Sequence, residues 1–134
     1  MKAFSQYLMR DDLPRKGGHH AKYSGFESGL RTSKGHRKRA YKGFRLALVA
    51  DRASRRSVHL WGHVRPSSGR TRVTIEYRNH GHGKWHRLKR KRTDRHGVFT
   101  TTTRYRKHRQ YNLYWKPSGS KHGSYGATTR VTSR

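Results

Sequence analysis

The sequence predicts an antiparallel all-β body, a sandwich or a small barrel, behind an irregular first third. Three observations carry this. Between residues 57 and 133, short segments alternate apolar and polar residues with period two, the pattern of strands buried on one face. A cluster of Gly, Ser, Asn or Asp follows most of these segments and can turn the chain. No long amphipathic helix is visible anywhere.

Residues 1–13 open on AFSQYLM, in which Phe4, Tyr7, Leu8 and Met9 need a partner surface. Residues 14–56 are rich in Gly, Lys and Arg, with two aromatic islands, YSGF (23–26) and AYKGFRLALV (40–49). Ala40, Tyr41, Phe44, Ala47 and Leu48 recur at helical spacing and predict a short helix. Gly43 within it costs about 1 kcal/mol relative to Ala.

In SVHLWGHV (57–64), Val58, Leu60 and Val64 share one face, and His59, Trp61 and His63 the other. PSSG (66–69) is a turn. TRVTIEYR (71–78) points Val73, Ile75 and Tyr77 inward, and Arg72, Thr74, Glu76 and Arg78 outward. After the NHGHG turn (79–83), KWHRL (84–88) spaces Trp85 and Leu88 by three, which breaks alternation and marks a candidate bulge. TDRHG (93–97) turns the chain into VFTTTTRY (98–105), which is β-branched and aromatic. YNLYWK (111–116) alternates Tyr111, Leu113 and Trp115 against Asn112 and Tyr114. SGSKHGSYG (118–126) reads as a loop, and ATTRVTS (127–133) as a last strand.

Composition narrows the function. Hydrophobic residues make up 29%, against about 45–50% apolar usage in ordinary globular chains. Lys and Arg number 34 against 6 acids, for a formal charge of +28, and there are 11 histidines. Such a charge repels itself and attracts polyanions. Cysteine is absent, which excludes disulfides and thiolate metal sites. No apolar run spans a bilayer, and the first 30 residues hold no apolar signal-peptide core. As written, the expected location is cytoplasmic.

Several stretches occur in an order that resembles a known family. FSQYLMRDD (4–12), GFESGLR (25–31) and GHRKRAYKGFRL (35–46) resemble the end of bacterial cellulase-like (β/α)8 glycoside hydrolases. WGHVRP (61–66), VTIEYR (73–78), GKW (83–85) and TDRHGVF (93–99) resemble the immunoglobulin- or fibronectin-type sandwich that often follows such barrels. The resemblance implies three parts. Residues 1–50 would be the vestigial last strand, loop and helix of a barrel, with 1–35 packed irregularly or mobile. Residues 51–57 would be a basic linker, and 58–134 an immunoglobulin-like sandwich. The relatives it implies are secreted. The family helix usually carries Pro where Arg39 and Ala47 stand, and the present sequence is far more basic.

The resemblance also places both catalytic glutamates upstream of Met1. Retaining glycosidases need two carboxyl groups about 5–5.5 Å apart. Glu27, Glu76 and the adjacent Asp11 and Asp12 have no reason to converge, so the expectation is a non-catalytic accessory module without cofactor. His80-x-His82 and His19-His20 lack zinc-site spacing and predict no metal site. Nucleotide-binding glycine motifs are absent.

Binding is the stronger expectation. WHRLKRKRTDRH (85–96) and RYRKHRQYNLYWK (104–116) interleave aromatics with cations. Lys89, Arg90, Lys91, Arg92, Arg104, Arg106, Lys107 and Arg109 are the candidate polyanion contacts. Outward Trp61 and Tyr114 are candidate stacking platforms for a sugar ring or a base. An acidic glycan or polysaccharide is one candidate partner and single-stranded nucleic acid the other. The bland reading of the same cations is a solvated outer face.

Overall fold

A computed structural model describes residues 29–65 and 69–132. The expectations for AFSQYLM, Asp11, Asp12, the His19-His20 pair, Glu27 and most of the PSSG turn lie outside the described residues. The chain divides into two compact units, Met1–Tyr41 and Lys42–Arg134.

In the first unit, residues 31–37 fold back on themselves. Arg31 and Arg37 form an antiparallel bridge. The Thr32 amide donates to the His36 carbonyl at 2.8 Å, and Gly35, at φ 87°, returns a bond to the Thr32 carbonyl at 2.8 Å. The guanidinium groups of Arg31 and Arg37 both lie 5.0 Å from the centroid of the Tyr41 ring. Leu30 is buried.

Helix α1 spans Arg39–Arg45, across the boundary between the units. It ends four residues before the sequence pattern predicts. Arg65 caps it: the Arg65 amide donates to the Arg45 carbonyl at 2.7 Å, and Arg65 Nη1 donates to the Phe44 carbonyl at 2.8 Å. These bonds satisfy carbonyls that a helix end leaves open. LALVA (46–50) fits both periods, and pairing with a neighbouring strand decides the matter. Leu46–Arg52 forms β1, which buries Leu46, Leu48 and Ala50. The linker expected over 51–57 is therefore the end of β1, a turn held by Ser54 Oγ, which accepts from the Arg56 and Ser57 amides at 3.2 and 3.1 Å, and the first residue of β2.

The second unit is an antiparallel, immunoglobulin-like sandwich. β2 (Ser57–Val64) pairs with β1 on one side and with β5 (Val98–Arg104) on the other. The second sheet has the order β4 (His86–Arg92), β3 (Arg72–Arg78), β6 (Gln110–Trp115), β7 (Ser124–Tyr125), and β8 (Thr129–Arg130) also pairs with β6. Core side chains come from alternate positions: Val58, Leu60 and Val64, Val73 and Ile75, Phe99, and Tyr111, Leu113 and Trp115. The Trp115 indole donates to Thr71 Oγ1 at 2.8 Å, which satisfies its one polar atom.

The bulge expected near Leu88 forms. Ile75 faces Lys89 while Glu76 faces Arg87, so Leu88 is the extra residue and packs against the core. The last strand is shorter than expected. Gly126 donates to the Leu113 carbonyl at 2.8 Å, Thr129 Oγ1 to the Leu48 carbonyl at 2.7 Å, and Thr132 to the Ala50 carbonyl at 2.9 Å. The C-terminal segment thereby stitches β6 to β1 and closes that side of the sandwich. On the other side, β4 and β5 remain edges.

Gly62 occupies an inward position of β2, and a Cβ built there would lie 2.3 Å from the Phe99 ring. Gly62→Ala should lower stability by about 1–3 kcal/mol, the usual cost of overpacking. Urea denaturation measures this, and Gly62→Ala combined with Phe99→Leu should lose less than the two single changes added together.

Candidate polyanion-binding face

Register determines what the outer face of the five-stranded sheet displays. Residues directly opposite one another share a face. Arg92 lies across from Arg72. The next row reads Arg90, Thr74, Tyr114, Tyr125. Arg87, Glu76 and Asn112 follow, then Arg78, Gln110 and Arg130. Six arginines thus share one face, and the Arg72–Arg92 pair sets like charges directly opposite, an unfavourable arrangement.

At the β7 side of this face two tyrosines stack. The Tyr114 and Tyr125 rings have centroids 4.8 Å apart at 47°. Tyr114 is half-buried, because the backbone of Gly123 lies against its ring: a Cβ at Gly123 would come within 2.2 Å of the Tyr114 hydroxyl. Tyr125, 50% exposed, is the accessible ring. The sequence places it in a loop without a role, and only its two-residue pairing with β6 brings it beside Tyr114.

The run Lys89–Arg92 does not act as one patch. Arg90 and Arg92 point outward with Thr74 and Arg72, whereas Lys89 and Lys91 lie opposite Ile75 and Val73, on the core side of an edge strand. Lys89 Nζ reaches across to Thr101 Oγ1 on β5 at 3.3 Å. Inward-pointing lysine on an edge is a device against strand addition. Arg104 ends β5 opposite Ser57, on the outer face of the other sheet. Arg106, Lys107 and Arg109 lie in the β5–β6 connection.

Trp61 and Tyr114 are not brought together, since they stand on different sheets. Trp61 is partly exposed between Val49 of β1 and Thr100 of β5, with the His63 ring edge-on at 6.0 Å. Burial first, then the nearby Arg65 charge, push the His63 imidazole below its ordinary pKa.

The acids of this unit serve separate local purposes. Asp94 Oδ1 accepts from the His96 and Val98 amides at 2.8 and 2.9 Å and so holds the β4–β5 turn. Asp51 sits on β1 opposite His59. Glu76 lies in the row beside that of Tyr114, between Arg87 and Asn112, and its Oε2 is buried and makes no hydrogen bond. Burial raises its pKa. Among the described residues, no group of three or more His, Asp or Glu side chains could hold a metal ion. No helix among them is long and apolar enough to cross a membrane.

No protein-family model matches the chain, and neither the curated proteins nor the solved structures contain a similar one.

Because the folded Glu76 pKa lies above the ordinary 4.5, its favourable contribution is complete below that value. It is lost as pH rises through the folded pKa. Glu76→Gln should therefore raise the melting temperature at pH 7 relative to the native chain, and the advantage should shrink towards pH 4. Thermal denaturation of both chains across this range checks the sign.

Proposed function

We propose that the chain is a non-catalytic binding module, the C-terminal part of a glycoside-hydrolase-like protein, whose ligand is an acidic polysaccharide. The observation that carries this is the register that sets Arg72, Arg78, Arg87, Arg90, Arg92 and Arg130 on the same sheet face as the neighbouring Tyr114 and Tyr125 rings. An exposed tyrosine ring offers a flat apolar surface to a pyranose, and guanidinium groups pair with carboxylate or sulfate in two-pronged fashion. The order of motifs shared with cellulase-like hydrolases and their appended sandwiches supports the same reading. The described acids fit no acid–nucleophile pair: Asp94 is committed to its turn, Asp51 lies on the other sheet, and Glu76 stands between Arg87 and Asn112 with no second carboxylate in its row.

A second reading, single-stranded nucleic acid, is favoured by the same alternation of Arg and Tyr, because bases also stack on exposed rings. The two differ in salt response. Phosphate pairing releases counterions and collapses between about 50 and 500 mM salt. Retention on polysaccharide should fall less, because sugar stacking on Tyr125 does not depend on counterions.

Affinity chromatography on an immobilised polyuronate and on single-stranded DNA at the two salt concentrations separates these readings. Arg72→Gln/Arg90→Gln/Arg92→Gln should weaken both interactions at low salt. Tyr125→Ala should remove the polysaccharide retention that survives high salt, by about tenfold or more given stacking of about 1–3 kcal/mol. Loss of all glycan retention at high salt in the native chain would refute the polysaccharide reading.

A further inference from the structure

The β3–β4 turn, the β5–β6 connection and β8 line an open cavity of about 540 Å3. His80 comes from the first, Arg106, Lys107, His108 and Arg109 from the second, and Arg130 from the third. Among the described residues, no carboxylate lines it. Its volume falls in the range of small-ligand sites.

The cavity is built, rather than a chance gathering of exposed charge. His80 and His108 hold φ angles of 57° and 59°, the left-handed region that side-chain-bearing residues avoid. The His80 amide donates to the His108 carbonyl at 3.2 Å, which locks the two turns together, and the imidazoles face each other at 5.8 Å. Arg109 is fixed by a bond from its Nε to Asn79 Oδ1 at 3.2 Å and by the Tyr77 ring, 4.1 Å from its guanidinium carbon. The buried Gln110 side chain also lines the cavity. Its Oε1 accepts from Arg78 at 2.9 Å, so its NH2 group is the end that lies towards Gly81. A Cβ at Gly81 would stand 3.3 Å from that nitrogen.

Strained backbone that persists in a folded protein clusters where function needs it. Here it sets two imidazoles among four cationic side chains, whose mutual repulsion an anion would offset. A metal cation would meet two nitrogen ligands and four repelling charges. A planar carboxylate would reach donors on one side only. Donors drawn from three elements around one pocket suit a tetrahedral group, whose oxygens point in every direction.

We infer that this cavity is a discrete site for a tetrahedral oxyanion, the phosphate or sulfate group of an ester. The two sites share only Arg130 and Gln110; His80, Arg106, Lys107, His108 and Arg109 come from the turns and belong to the cavity alone.

The test is a nuclear magnetic resonance titration of the isotopically labelled full chain, at constant ionic strength. The probes are inorganic phosphate, inorganic sulfate and acetate. Saturable amide shifts at His80, His108 and Arg109 with phosphate or sulfate, and weaker shifts with acetate, are expected. Whichever of the two binds more tightly identifies the ester. His80→Gly/His108→Gly deletes both imidazoles while suiting the left-handed backbone, so affinity should fall about tenfold with no loss of melting temperature. Arg106→Gln/Lys107→Gln changes exposed side chains that belong to the cavity alone and should abolish saturation. Arg90→Gln/Arg92→Gln should leave the site intact even if it ends binding at the sheet face. Linear, unsaturable shifts would overturn the inference, as would equal response to acetate or undiminished affinity in both cavity variants.

Discussion

Strand register is the constraint on which this molecule depends. With a formal charge of +28 and few apolar residues, the chain keeps cations out of its interior only through period-two alternation. Along β3, Val73 and Ile75 are buried while their neighbours Arg72, Thr74 and Glu76 face outward. A slip of one residue would carry arginine into the core, where an unpaired charge is very costly. Several local devices prevent the slip. Asp94 fixes the β4–β5 turn through two amides, and the Leu88 bulge keeps Arg87 outward opposite Glu76 while Leu88 reaches the core.

The same alternation segregates the two outer faces. The five-stranded sheet displays arginine across its width. On the three-stranded sheet, the central row runs Val49, Trp61, Thr100, and the row beside it Asp51, His59, Thr102. The second unit therefore has a strongly cationic face and a nearly uncharged one, an asymmetry that net charge alone would not supply.

What the sequence reveals follows the physics of burial. β2 and β3 are legible because each buries one face and alternates cleanly, β6 because its apolar residues alternate although Gln110 and Asn112 are buried too, and the three-residue spacing of Trp85 and Leu88 reveals the bulge. β1 is hidden because LALVA satisfies helix and strand periods alike, and only pairing with β2 decides between them. β4, HRLKRKR, has a single apolar residue and is a strand because β3 makes it one. The candidate sites are less legible still. Alternation places Trp61 and Tyr114 outward but cannot say that they stand on different sheets. Tyr125 sits in a stretch that reads as loop. His80 and His108 meet only through the pairing of β3 with β6, a long-range fact with no local signature.

The open seam between β4 and β5 carries a consequence for solubility. Lys89 and Lys91 repel any incoming chain that would extend the sheet at β4, and the bulge interrupts the edge it would need. Such a guard works only while its ammonium groups stay unneutralised. A change that removes those two charges would leave the seam open to edge-to-edge growth.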